Sequence, residues 1–341
     1  METVQLGRTG LRVTRTAFGV LPLQRTERAE AARILRRAFE AGINFYDTAR
    51  AYSDSEEKIG FAFADVREHL ILATKSGAHT RAGLLADLET SLRHLRTDHV
   101  DILQLHNPET LPDPADPESS CSGAVEAQRQ GKTRFIGITN HGLERALAAA
   151  GSGLYDTVQF PLNTLSSERD LSLIERCREH DVGVIAMKAL SGGLITQVRA
   201  AFAYLRQFPN VVPIWGVQRM RELEEILELD AEAPLLDAEL RAVIERDRAE
   251  LAGEFCRACG YCLPCPADIP IPMAARMGLL LRRMPYRQFL SAEWQGKMRR
   301  IRDCTACGHC REHCPYGLDP PALLQKMLRE YDEFCARGDV S

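Results

Sequence analysis

The sequence predicts an α/β protein: a closed (β/α)8 TIM barrel entered by a β-hairpin, then a small, mainly α-helical domain rich in cysteine. Three observations carry this. Short β-branched runs alternate eight times with amphipathic stretches between residues 12 and 229, the helix-and-strand rhythm of a parallel α/β fold. The runs begin 23 to 34 residues apart, so the units are evenly sized. Nine of the eleven cysteines follow residue 250, where the alternation has stopped. The predicted division is a barrel over 1–233, a helical linker over 234–252 and a cysteine domain over 253–341.

In chain order, Val4–Val13 reads as a hairpin through Arg8-Thr9-Gly10 that caps the bottom of the barrel. The strand candidates are Thr16–Val20, Ile43–Asp47, Leu70–Lys75, Val100–His106, Arg134–Thr139, Thr157–Phe160, Val182–Lys188 and Val211–Gly216. Most are nearly continuous in Val, Ile, Leu or Ala, as strands covered on both faces must be. Between them, Arg28–Ala41, Arg81–Leu95, Glu168–His180 and Arg221–Leu229 carry helical periodicity. A doubly wound open sheet is the alternative, and the even spacing favours closure. Asp237–Leu251 reads as one charged helix that connects.

Composition narrows the function. With 45% hydrophobic and 26% charged residues the chain buries a core. A net charge of -4 points to neither nucleic acid nor membrane, and no apolar stretch approaches the roughly 20 residues of a spanning helix. Met1–Leu11 lacks the basic and apolar regions of an export signal. Cysteines grouped as C-x-x-C suggest metal ligation in a reducing compartment, so a cytoplasmic location is expected.

Barrel active sites form at the C-terminal ends of the strands. Those ends bring Asp47, Lys75 and His106 from three consecutive strands, with Tyr52 in the loop after Asp47. Alone, each could be a turn cap, a solvated strand end or loop packing. Together they suit carbonyl reduction. A tyrosine near pKa 10 is a weak acid; Lys75 would stabilise its phenolate and Asp47 would hold the lysine. His106 would donate a hydrogen bond to the carbonyl oxygen.

These stretches resemble the aldo/keto reductase family. The match lies in Gly42-Ile43-Asn44-Phe45-Tyr46-Asp47-Thr48-Ala49 with Tyr52, in Ala73-Thr74-Lys75, and in Asp101-Ile102-Leu103-Gln104-Leu105-His106. It continues in Gly131-Lys132-Thr133-Arg134-Phe135-Ile136-Gly137-Ile138-Thr139-Asn140, and covers about residues 1–230. The resemblance implies that Asp47, Tyr52, Lys75 and His106 are the catalytic tetrad and that a nicotinamide cofactor binds at the barrel mouth. It implies that Thr139, Asn140 and Gln159 hold the carboxamide and that the Ser191-Gly192-Gly193-Leu194 loop wraps the pyrophosphate. Met187 stands where many members stack a tyrosine on the nicotinamide, and a thioether packs there more softly. At the adenosine end, Gln218 with Arg219 or Arg221 is a looser match; an arginine there could pair with a 2′-phosphate or only decorate the last barrel helix. NADP(H) is favoured over NAD(H).

The strongest motifs are Cys256-x-x-Cys259-x-x-Cys262-x-x-Cys265-Pro266 and Cys304-x-x-Cys307-x-x-Cys310-x-x-x-Cys314-Pro315. This spacing suits two [4Fe-4S] clusters with crossed ligation: Cys256, Cys259, Cys262 and Cys314 on one, and Cys304, Cys307, Cys310 and Cys265 on the other. Zinc ribbons also use C-x-x-C pairs, but rarely four cysteines in ten residues closed by proline. The motifs resemble the ferredoxin-type module of one aldo/keto reductase subgroup. Residues 266–303 are expected to form two helices broken near Pro285. From Arg276 to Arg302 there are eight basic residues (Arg276, Arg282, Arg283, Arg287, Lys297, Arg299, Arg300, Arg302) against Glu293. Such a face could favour anionic clusters or dock an acidic electron carrier such as ferredoxin or flavodoxin, or be a solvated surface. A second reading makes the chain a redox sensor that uses its barrel as a binding scaffold. Substrate choice would sit in loops such as Leu21–Arg25 and Asn107–Pro117.

Overall fold

The structure, a computed structural model, describes residues 1–251, 255–283, 286–314 and 316–336. Two compact units emerge. The first comprises Met1–Ala189 and Val198–Arg241; the second comprises Leu190–Gln197 and the chain from Ala242 onward.

In the first unit, strands β1 (Thr3–Gln5) and β2 (Arg12–Thr14) pair antiparallel. Eight parallel strands then close a barrel: β3 (Ala17–Gly19), β4 (Phe45–Asp47), β5 (Ile71–Ser76), β6 (Val100–His106), β7 (Thr133–Thr139), β8 (Thr157–Pro161), β9 (Gly183–Met187) and β10 (Val211–Gly216). β10 pairs with both β3 and β9, which completes the circle. The expected spans Thr16–Val20, Ile43–Asp47 and Val182–Lys188 each lose residues to the loops. Val20 turns directly into a 3-10 turn begun by Leu21 and Pro22, and Lys188 takes a positive φ of 58°, so neither continues its strand.

The hairpin plugs one end of the barrel. Leu6, Leu11 and Val13 pack with Ala17, Phe45, Ala73, Ile102, Ile185 and Val212 in one buried cluster. Gly7 makes this approach possible. Its φ is +51°, and a β-carbon there would lie 2.3 Å from the Gly183 nitrogen. The Arg8 N–H donates to Asp181 O (2.7 Å) and its guanidinium to Tyr155 O (2.7 Å), locking the plug to two strand entrances.

Eight helices accompany these strands, and the starts of α3, α4 and α6 follow capping rules. In α1 (Arg28–Glu40), Ile34, Leu35 and Ala38 form the buried stripe. After α2 (Ser55–Ala62), α3 (Arg81–Leu95) starts at Thr80, whose hydroxyl accepts from the Gly83 N–H. Then come α4 (Ser120–Arg129), α5 (Leu143–Gly151) and α6 (Glu168–Glu179), the last with a reciprocal Ser167–Asp170 capping box. α7 (Val198–Leu205) and α8 (Met220–Glu232) finish the barrel layer. None of the described helices is long and apolar enough to cross a membrane.

Helix α9 (Ala238–Glu250) leads into the second unit, which contains no strand among its described residues. The expected pair of helices over 266–303 is instead a run of short pieces: α10 (Ile271–Ala274), α11 (Met277–Arg283), a 3-10 turn (Tyr286–Leu290), α12 (Ala292–Arg299) and a second 3-10 turn (Arg300–Asp303). Pro285 lies outside the described residues. The segment breaks so often because each piece buries a few side chains, among them Ile271, Met277, Leu280, Phe289, Met298 and Ile301. Ser291 restarts the helix by capping the Trp294 N–H. α13 (His309–Glu312) follows. The long α14 (Pro320–Ala336) is the spine, with Tyr331 Oη donating to Phe289 O at 2.5 Å.

Candidate functional site

Parallel pairing sets the barrel site. β4, β5 and β6 lie side by side, so their C-terminal residues share one rim. Lys75 Nζ donates to Asp47 Oδ2 (2.5 Å) and to Thr48 O (2.6 Å). Both charged side chains are buried, Lys75 at 1% and Asp47 at 2% exposure. The other carboxylate oxygen accepts from Gln104 Nε2 (2.9 Å), and Gln159 Nε2 lies 3.5 Å from Oδ2. The Tyr52 ring centroid lies 5.1 Å from Lys75 Nζ. The His106 ring meets Tyr52 edge-on, with centroids 5.7 Å apart. All four residues expected to act together are therefore brought together.

Gln104 was not singled out from the sequence. The signal was its place two residues before His106, on the same face of β6. It is also the register partner of Lys75.

The electrostatics correct one expectation. Lys75 does pull the Tyr52 hydroxyl toward ionisation, but burial is the larger effect and leaves its pKa raised above 10. Tyr52 is thus a proton carrier at neutral pH. Burial first, and the Lys75 charge second, bring His106 down to about 3, so its imidazole is neutral and can donate one N–H. A carbonyl reduction that takes its proton from Tyr52 would accordingly show a kcat that stays flat through neutral pH and declines only above pH 10. A sigmoidal step near pH 6.5 in that profile would contradict a neutral His106.

Around this centre, Thr139 ends β7, Asn140 follows it and Gln159 lies in the middle of β8, and all three are buried. Gln159 Oε1 is buried without a protein partner, an acceptor left for a ligand amide. Asn140 is partly committed: its Oδ1 accepts from the Gly142 N–H and Arg145 Nε, and its Nδ2 donates one hydrogen to Pro108 O. Its second amide hydrogen is spare. Met187 is half-buried at the end of β9. At the start of α8, the Glu222 carboxylate accepts from the Gln218 and Arg219 backbone N–H groups, while the Arg219 and Arg221 residues are exposed.

The second unit holds the loop Ser191-Gly192-Gly193-Leu194. Ser191, Gly192 and Gly193 all have positive φ (49°, 65° and 91°), between Leu190 and Leu194 with negative φ. The Gly193 N–H donates back to Leu190 O at 2.9 Å, which closes the turn.

The same unit holds the eight motif cysteines around two cavities. Cys256, Cys259, Cys262 and Cys314 line the first, with Cys310 also in its wall. Cys265, Cys304, Cys307 and Cys310 line the second, which Cys262 also reaches. Each cavity thus has the four cysteines of one crossed ligand set. No disulfide joins any of the eleven cysteines, and Pro315 lies outside the described residues. Among the described residues, no three His, Cys, Asp or Glu side chains converge as a single metal ion requires.

The basic segment departs from expectation. Arg276 is buried at 8% exposure, not part of an outer face. Arg282 pairs with Glu330, Lys297 with Glu293, Arg300 with Asp268 and Arg302 with Asp332. Three acids remote in sequence, Glu330, Asp268 and Asp332, therefore answer part of its charge.

Comparison with known proteins agrees with this geometry. The model described as the aldo/keto reductase family matches residues 15–201, more than half of the chain. The chain belongs to the aldo/keto reductase family. A second model, described as a 4Fe-4S dicluster domain, matches residues 255–319, so this reductase carries an iron–sulfur domain in its helical unit. An aldo-keto reductase of Bacillus subtilis is 28% identical over 216 residues, 58% of this chain and 64% of that protein. The L-galactose dehydrogenase of Arabidopsis thaliana is 30% identical over 216 residues, 58% of this chain and 68% of that one. The chain thus spans about two thirds of the length of these relatives. Among solved structures, an aldo-keto reductase of Bacillus halodurans in its holo form has a TM-score of 0.63 at 24% identity. That likeness covers 72% of this chain and 96% of that one, and it concerns the fold.

Proposed function

We propose that this reductase interconverts a small carbonyl compound and its alcohol by hydride transfer with NADP(H), using Asp47, Tyr52, Lys75 and His106. The observation that carries the reading is the buried Lys75 ammonium, bonded to Asp47 at 2.5 Å and set against Tyr52 beside a neutral His106. When bound, the nicotinamide supplies the hydride. His106 donates a hydrogen bond to the carbonyl oxygen and orients it. Tyr52 Oη gives its proton to the alkoxide as it forms, and Lys75 stabilises the phenolate left behind. Asp47, held by Gln104, keeps Lys75 in register.

The residues suit the cofactor. Gln159, with its unmatched Oε1, would hold the carboxamide together with Thr139 and Asn140. Met187 would pack on the ring, and the Ser191-Gly192-Gly193-Leu194 loop would bind the pyrophosphate. Gln218 and the exposed Arg219 would meet the adenosine end, where an arginine favours a 2′-phosphate. The two cysteine sets would each hold one [4Fe-4S] cluster, in the reducing cytoplasm that such thiols need. An acidic electron carrier would meet whichever basic charges of Arg276–Arg302 stay unanswered.

Deuterated NADPH tests the reading. Incubated anaerobically with aldehydes, ketones and sugars, the protein should place one deuterium on the former carbonyl carbon of at least one product, read by mass spectrometry. Cofactor oxidation with no label in any alcohol would overturn it.

A further inference from the structure

Glu56 lies in the first turn of α2 and is only 1% exposed, which for an acid calls for partners on its carboxylate. Both oxygens have one. Oε1 accepts from the Thr74 hydroxyl at 2.6 Å, and Oε2 pairs with the Arg50 guanidinium. Each partner is close in sequence to a residue of the barrel site. Thr74 precedes Lys75 on β5, and successive strand side chains face opposite ways, so Lys75 meets Asp47 while Thr74 meets α2. Arg50 lies two residues before Tyr52, and its backbone N–H donates to Lys75 O at 3.0 Å. Its guanidinium also donates to His94 Nδ1 in α3 at 3.0 Å. Tyr52 takes its own backbone bonds within the segment that carries it. Its N–H donates to Ala49 O at 3.0 Å, and its carbonyl accepts from the Ser55 N–H at 2.9 Å. Where Tyr52 sits beside Lys75 therefore depends on how that segment is fixed to β5. Arg50 joins it there directly and, through Glu56 and Thr74, a second time.

We propose that Glu56 is a positioning residue for the reaction: by bridging Arg50 and Thr74 it holds the Tyr52 segment in place against Lys75. The inference rests on the reading of Tyr52 as the proton donor. Glu56 moves no proton; it acts through the residues it holds. A buried carboxylate suits this task because its charge-assisted hydrogen bonds are short and directional. An apolar contact at the same place would let the segment slide along β5. Tyr52 has two tasks that depend on position, since its hydroxyl must reach the forming alkoxide and its phenolate must lie against the Lys75 ammonium. A shift of the segment spoils both at once, and leaves Lys75 bonded to Asp47.

The test is a double-mutant cycle on the full chain, read as single-turnover label transfer from deuterated NADPH to DL-glyceraldehyde or to the best-labelled carbonyl of the screen above. Glutamine at position 56 keeps the size and an acceptor for Thr74 but removes the ion pair. Glu56→Gln should slow transfer by about 10–100-fold, the cost of misplacing a reacting group, while KM for NADPH changes little. In a Tyr52→Phe background the same substitution should change the rate by less than about twofold, because the hydroxyl it would misplace is already gone. A merely structural residue would cost the same in both backgrounds, and that result would overturn the inference. So would a Glu56→Gln protein that transfers label at the wild-type rate. Thr74→Val removes one hydroxyl at nearly constant volume and serves where Glu56→Gln does not fold. It should show the same dependence on Tyr52, and equal losses with and without the tyrosine hydroxyl would again count against the clamp. If wild-type protein transfers no label, or Tyr52→Phe transfers it at the wild-type rate, the underlying reading falls instead.

Discussion

Replacing Lys75 by methionine is expected to remove both the reaction and several kcal/mol of stability, whereas Tyr52→Phe should remove the reaction alone. The difference follows from burial. Lys75 is 1% exposed and its ammonium is the closest partner of an Asp47 carboxylate that is itself 2% exposed. Deleting one member of a buried ion pair strands the other, typically at about 3–5 kcal/mol. The amides of Gln104 and Gln159 compensate only in part, because they bring no charge. For a barrel of this size that cost lowers Tm by on the order of 10 °C. Tyr52→Phe deletes a hydroxyl from a half-buried ring and leaves Lys75 bonded to Asp47 and Thr48. Its unfolding temperature should move by no more than a few degrees. Its rate of labelled-hydride transfer should fall by about 10²–10⁴, the usual range for loss of a positioned acid. Calorimetry on both variants, beside the deuterium assay, separates the two effects. A Tyr52→Phe protein that still turns over at the wild-type rate would remove the tyrosine from the mechanism.

The contrast shows what a sequence can and cannot disclose. Asp47, Lys75 and His106 were legible because the strand ends of a closed barrel share one rim, and the run lengths fixed where those ends fall. Gln104 was readable in principle, since it is the register partner of Lys75, but glutamine carries no charge to draw notice. The pKa of Tyr52 was not readable. Its sign depends on burial outweighing a cation, and a list of neighbours gives only the cation. The helical unit was legible in its thiols and not in its backbone. Motif spacing suggested two sets of four cysteines; four line each cavity, and Cys262 and Cys310 reach both. The helices between the motifs are cut by packing over a few residues at a time, which no periodicity reports. Arg276 carries the same lesson, for an arginine among arginines looks exposed until its surroundings are known.

Those short helices lead to the second large effect, the removal of iron. α10, α11, α12 and α13 run only four, seven, eight and four residues, well below the length at which helices persist alone. At the cavities between them, burial pushes the Cys262 thiol up to about 12, so without iron it stays a neutral thiol. Crossed ligation would tie Cys256 to Cys314 and Cys265 to Cys304 through metal, so that cluster binding becomes folding free energy. Anaerobic treatment with oxidant and chelator should therefore make the chain between residues 255 and 336 sensitive to protease. A resistant barrel fragment and its cooperative unfolding should persist. Because the loop proposed to bind the pyrophosphate, Ser191-Gly192-Gly193-Leu194, belongs to the helical unit, KM for NADPH should rise while kcat, assigned in the proposed mechanism to residues of the barrel, changes only a few-fold. A helical unit that resists protease after its iron is gone would show that packing alone holds it, and that the clusters contribute no stability.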